Sequence, residues 1–176
     1  MFTDAGHFLG EAYNFLRVLI LDVVGLEIEG LYERLKVDHI SYKCEGSEEF
    51  EHIRRILEVA SAFFYQSKIA DRRIAYFRLT APCTFGCGEV GYEAHYVELA
   101  DRKPTGTVRV GFDHIEMYPT KGLTDDVIRL FLSYNVELKK VERPHHTTYD
   151  HTFKDGKILR ITNEPLINKI KYEEMK

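Results

Sequence analysis

The chain has 176 residues, 44% hydrophobic and 30% charged, which is the composition of an ordinary globular domain long enough to bury a core. Lys and Arg number 24 against 28 Asp and Glu, and a net charge of -4 argues against a nucleic acid or an anionic membrane as partner. The three cysteines, Cys44, Cys83 and Cys87, form no disulfide framework and fit a reducing cytoplasm.

Residues 7–24 repeat Phe8, Leu9, Ala12, Phe15, Leu16, Leu19, Ile20 and Val23 at helical spacing, which predicts an amphipathic helix ended by Gly25. The apolar stretch Phe15 to Leu26 carries Arg17 and Asp22, so it is too short and too charged to span a bilayer. No basic segment of a secretory signal precedes it. Val37 to Cys44 reads as a strand. Ser47 with Glu48 and Glu49 opens a helix, whose spacing carries through Phe50, Ile53, Leu57, Phe63 and Phe64 to about Tyr65. Ile74 to Leu79 is a strand stopped by Pro82, and Tyr92 to Leu99 is another. Between them, Gly86-Cys87-Gly88-Glu89-Val90-Gly91 matches G-x-G-x-x-G. A strand-like segment follows it rather than a helix, so it reads as a glycine-rich turn and not a dinucleotide site.

After a connection at Asp101 to Gly106 the order begins again. Val110 to Tyr118 reads as a strand, and Thr124-Asp125-Asp126 opens a helix. Tyr149 to Phe153 and Ile158 to Thr162 read as strands around a Lys154-Asp155-Gly156-Lys157 turn. The repeat is visible in the residues themselves. Asp38-His39-Ile40 and Asp113-His114-Ile115 lie 75 positions apart, each opening its half.

Side chains two apart on a strand share a face. Alternation places His39, Ser41 and Lys43 with Val37, and His114, Glu116 and Tyr118 with Phe112. It places Glu98 with Tyr96, and Arg160 with Ile158 and Thr162. The opposite faces hold Ile40, Ile115, Val97, Leu99, Leu159 and Ile161 as core. One histidine from each half and a carboxylate between them suit a divalent metal with open positions. The same residues also read as two histidines hydrogen-bonded within a polar sheet face. Cys83 and Cys87 lack the partner pair a structural zinc needs, and His145-His146 reads as solvated loop. His151 reads as packing between Tyr149 and Phe153.

Asp38-His39-Ile40-Ser41 with Cys44, Phe77-Arg78-Leu79 with Pro82, Val97-Glu98-Leu99, Gly111 to Glu116 and Asp155-Gly156-Lys157 together resemble the YecM family of the vicinal oxygen chelate superfamily. The resemblance implies an α+β fold of two tandem βαβββ modules forming a cup-shaped mixed sheet. The implied layout is an N-terminal helical extension over 1–35, paired modules over 36–163 (36–101 and 110–163), and a C-terminal tail or short helix over 164–176. It implies metal ligands at His39, Glu98 and His114, for zinc, nickel, manganese or iron. The fourth ligand position falls at Leu159 or Arg160, where glyoxalase has a glutamate, so the set is incomplete or the metal is lost. Glu116 is the candidate general acid/base, and Arg160, Arg78, Ser41 and Tyr96 are the substrate-binding candidates. Three functions follow: a metal-dependent enzyme of the glyoxalase/dioxygenase type, a metal-free binding module for a small anion, and a partner-binding protein with an inert cup. The expected partner is a small molecule, the expected compartment the cytoplasm, and the chain a monomer or homodimer.

Overall fold

The computed structural model describes residues 2–69, 71–87, 90–104, 109–120, 124–142 and 147–174. Helix α1 (Ala5–Val24) starts where the Asp4 carboxylate accepts the His7 N–H at 2.9 Å, and it ends at Gly25. A one-turn helix α2 (Leu31–Arg34) leads into β1 (Leu35–Lys43). There follow α3 (Ser47–Val59), β2 (Ser61–Ile69), β3 (Arg72–Cys87) and β4 (Val90–Ala100). The order then repeats with β5 (Gly111–Pro119), α4 (Thr124–Ser133), β6 (Lys139–Glu142), β7 (Thr147–Thr152) and β8 (Ile158–Ile161). Helix α5 (Leu166–Glu174) comes last. This is strand, helix and three strands, twice over.

All eight strands of the described residues form one mixed sheet in the order β2-β3-β4-β1-β5-β8-β7-β6. The two first strands pair antiparallel at the centre, and each runs parallel to the last strand of its own module, β1 with β4 and β5 with β8. The module pair is therefore related by a pseudo-twofold axis between β1 and β5.

One sheet face is buried under α1, α3 and α4. Phe8, Leu16, Leu19 and Ile20 of α1, Phe50, Ile53 and Leu57 of α3, and Val127 and Phe131 of α4 pack with Ile40, Phe77, Val97, Leu99, Ile115, Leu159 and Ile161. The early acids of α3 and α4 lie where the N-terminal ends of the helix dipoles favour them. The other face carries a second apolar cluster, Ile74, Tyr76, Tyr96 and Ala100 with Leu166 and Ile170 of α5.

Three expectations about individual segments need correction. Helical spacing past Ala60 is a coincidence: Phe63, Phe64 and Tyr65 belong to β2, paired antiparallel with Arg78, Phe77 and Tyr76. Aromatic residues suit a half-buried strand, and tertiary pairing overrides the periodicity. Pro82 does not end its strand, because β3 continues to Cys87 through a register break between Arg78 and Cys83 that accommodates a residue without an N–H. Val37 and Phe112 lie on the helix-covered face, Phe112 stacking against Phe15 and standing edge-on to Tyr42. The glycine-rich segment between β3 and β4 does join two antiparallel strands, although Gly88 and Glu89 lie outside the described residues, as do His145 and His146.

Candidate metal centre

The displacement of Val37 and Phe112 has one cause, and it also builds the site. Along the central pair, Val37 opposes Met117 but His39 opposes Glu116, so Asp38 is an extra residue in β1. Further along, Ser41 opposes His114 but Tyr42 opposes Phe112, so Asp113 is an extra residue in β5. Each is a β-bulge, and a bulge re-aims its side chain and reverses the facing of everything beyond it. Asp38 and Asp113 are thereby turned toward the histidines that follow them. The Nδ1 of His39 lies 2.8 Å from Asp38 Oδ2, and the Nδ1 of His114 lies 2.9 Å from Asp113 Oδ2. With the Nδ1 proton given to a carboxylate, each ring offers Nε2 to the cup.

The structure brings His39, Glu98 and His114 together. Their nearest ligand-capable atoms all lie within 4.8 Å of one another. The His39 Nε2 is 3.8 Å from Glu98 Oε2 and 3.9 Å from Glu116 Oε2. Asp38, His39 and Glu116 form a second such group sharing His39. Ser41 donates to Glu98 Oε1 at 2.8 Å, which fixes that carboxylate and leaves Oε2 toward His39. His39, His114 and Glu116 are 1%, 2% and 4% exposed, so the charges interact with little help from water.

Electrostatics follow from that burial. Burial opposes a charge on His39, but Glu116, Asp38 and Glu98 outweigh it and hold the imidazole above its ordinary pKa. Burial and the Arg160 guanidinium push His114 down to about 4, so it is neutral. Burial opposes the charge on Glu98, yet His39, His114 and the Ser41 hydroxyl keep its carboxyl below the usual range. Asp113 is also held well below the carboxylate range: burial opposes its charge, and His114 and Lys43, the latter at 2.6 Å, overcome it.

Arg160 opposes Glu116 in the β5–β8 register. It grips Asp150 of β7 through two hydrogen bonds, Nε to Oδ1 at 3.0 Å and Nη2 to Oδ2 at 2.8 Å. Its Nη1 donates to His114 Nε2 at 2.8 Å. A bidentate fork of this kind fixes the guanidinium plane. Tyr96, opposite His39, is buried and packs on the same face as Glu98. Arg78 stands opposite Tyr96 and is exposed. His151 stands edge-on to Phe153 at 4.8 Å and lies outside the cluster.

Three contributors were absent from the sequence reading as site residues: Asp38, Asp113 and Asp150. The signal for the first two was present, since the repeat begins with aspartate in both halves, but strict alternation sends them to the wrong face. Nothing local marks Asp150.

The donors present fit a divalent ion. The His39 Nε2 is buried with no hydrogen-bond partner among the described residues, faces two carboxylates, and has its ring held by Asp38. A metal at His114 must displace the Arg160 hydrogen bond.

A solved structure described as structural-genomics protein EC4020 is similar over 89% of this chain and 87% of its own, at 19% identity and a TM-score of 0.65, which shows a common fold. A proposed dioxygenase from Bacillus subtilis subsp. subtilis str. 168 aligns over 74% of this chain and 41% of its own, at 15% identity and a TM-score of 0.43, a likeness too loose to argue from. No curated protein matches by sequence. The YecM protein family model matches residues 7–150, from the first turn of α1 into β7, and the chain belongs to the YecM family.

Proposed function

We propose that this protein binds a divalent metal ion through His39, Glu98 and His114 and acts on a small, oxygen-bearing anionic substrate. One observation carries the reading. The Nε2 of His39 is a fully buried nitrogen without a hydrogen-bond partner among the described residues, and leaving it so is costly unless a cation or proton completes it. The bulges at Asp38 and Asp113 orient both imidazoles toward the cup, an arrangement typical of histidines that ligate metals.

When bound, a divalent ion supplies Lewis-acid polarisation of a substrate oxygen and stabilises developing negative charge. The chain's own residues do the rest. Ser41 keeps Glu98 in one rotamer. Glu116 is within reach of any proton released beside His39, so it is the general acid/base of this reading. Arg160 offers the anion-binding edge, and Arg78 stands exposed opposite Tyr96 to meet a second charge. The free, buried thiols of Cys44 and Cys83 favour a reducing compartment, and no described helix is long and apolar enough to cross a membrane.

A second reading has its own observation. Arg160 already caps the Nε2 of His114, so the cup also works as a metal-free module that holds a small anion on Arg160. Calorimetric titration with zinc, manganese and nickel separates the two. One-site binding that is lost in His39→Ala and in His114→Ala supports the metal centre. Equal, weak binding in all three proteins rejects it and leaves the anion module.

A further inference from the structure

The sheet face that carries His39, Glu98 and His114 is covered in part, with Arg78 exposed at its margin. Helix α5 lies on it, with Leu166 and Ile170 only 4% and 2% exposed, packed against Ile74, Tyr76, Tyr96 and Ala100. This apolar strip runs directly into the polar cluster. Tyr96 is opposite His39 and Tyr76 is opposite Glu98 in the strand registers. The Tyr76 ring stands edge-on to His39 with centroids 6.4 Å apart and stacks on Tyr65 at 11°. The first turn of α5 is fastened to the cluster as well. The Leu166 N–H donates to both Asp38 oxygens, at 3.0 and 3.2 Å, and the same carboxylate holds the Nδ1 of His39.

We infer that α5 is a displaceable cover, and that the strip beneath it receives the apolar part of the substrate, which is therefore an amphipathic oxyanion such as an aryl carboxylate. The inference rests on the reading of the cup as a site for an oxygen-bearing anion. His39 and His114 are too buried to meet a solute unless some element moves, and Glu98 presents only 13% of its side chain. The strands cannot move separately, because the eight form one hydrogen-bonded sheet, and α1, α3 and α4 lie on the other face. Helix α5 has nine residues, too few to persist as a helix without tertiary packing, so its position depends on its contacts with the strip and with Asp38. Leu166 and Ile170 then occupy the volume of a substrate's ring or chain, beside aromatic side chains that suit such a group. Asp38 couples the two events, since raising α5 removes one donor from the carboxylate that orients His39.

The test uses the full chain with sodium 2-naphthoate and sodium acetate as probes, followed by calorimetry and by hydrogen exchange over residues 166–174. Expected results are tighter binding of naphthoate than of acetate, and faster exchange of the α5 amides when naphthoate is present. Ile170→Ala weakens the cover without adding charge. It should raise the affinity for both anions by about the same factor, roughly tenfold, because a larger share of molecules is open, so that naphthoate stays the tighter binder. Equal binding of the two anions, or α5 amides that stay protected with naphthoate bound, overturns the inference. If Ile170→Ala fails to fold by circular dichroism, the exchange experiment on the unmodified chain decides alone. Metal titrations run in parallel keep the readings apart. Metal binding with no naphthoate response sinks the cover alone, and naphthoate opening with no metal binding sinks the metal centre alone.

Discussion

Arg160 Nη1 donates to His114 Nε2 at 2.8 Å, so a side-chain cation sits where that imidazole would meet a metal. The two cations cannot both be served by one lone pair. Arg160→Gln combined with Asp150→Asn removes the competitor without stranding a buried charge, which by itself would be strongly destabilising. Metal affinity measured by calorimetry should rise by about tenfold or more, a gain of roughly 1.4 kcal/mol. Unchanged affinity would show that Arg160 yields the nitrogen at no cost.

Asp38 and Asp113 act through the histidines they touch. Asp38→Asn keeps the shape of the side chain but removes the charge that holds the Nδ1 proton of His39. Competition against a chromophoric chelator should show a loss of about 10–100-fold in metal affinity. A zinc affinity equal to that of the unmodified protein would reduce Asp38 to a structural anchor for Leu166.

Stability and site should separate. Phe77 is fully buried between the sheet and its covering helices, and Phe77→Ala should cost about 3–5 kcal/mol in urea denaturation. His39→Ala should cost less, because the apolar core on the opposite face is untouched, Asp38 keeps its hydrogen bonds from Leu166, and the carboxylates that faced the imidazole can take up a proton in its place. If His39→Ala proves as damaging as Phe77→Ala, the buried histidine is chiefly a structural group.

Cys44 is 0% exposed, and burial followed by the nearby charges of Glu49 and Asp101 pushes its thiol far above the usual range. Only the thiolate is a good nucleophile, so iodoacetamide at pH 8–9 should label Cys44 at least about 100-fold more slowly in the folded chain than in urea. The linkage has a definite sign. The folded pKa is raised, so this thiol's contribution to stability is full below its unfolded pKa and is lost as pH rises above it. Rapid native labelling of Cys44, located by peptide mass mapping, would contradict its burial.

Much of this architecture can be read from the chain alone. Helical spacing in α1, the acidic starts of α3 and α4, and the strands that carry His39, Glu98 and His114 all follow from local pattern, because an amphipathic element must turn its apolar side inward. The second Asp-His-Ile, 75 residues after the first, announces the internal duplication. It also identifies which two histidines the pseudo-twofold axis brings to one face.

Tertiary structure decided the remainder. A β-bulge is a mismatch between two strands, so neither strand encodes it separately, and only pairing β1 with β5 reveals that Asp38 and Asp113 are the extra residues. The same pairing moves Val37 and Phe112 to the core. Phe63 and Phe64 satisfy a helical period and a strand equally, and the neighbouring β3 settles the matter. The grip of Asp150 on Arg160 joins β7 to β8, and the bond from Leu166 to Asp38 spans 128 residues. Side-chain contacts between segments so far apart depend on how the chain folds back on itself, which composition, spacing and periodicity do not encode.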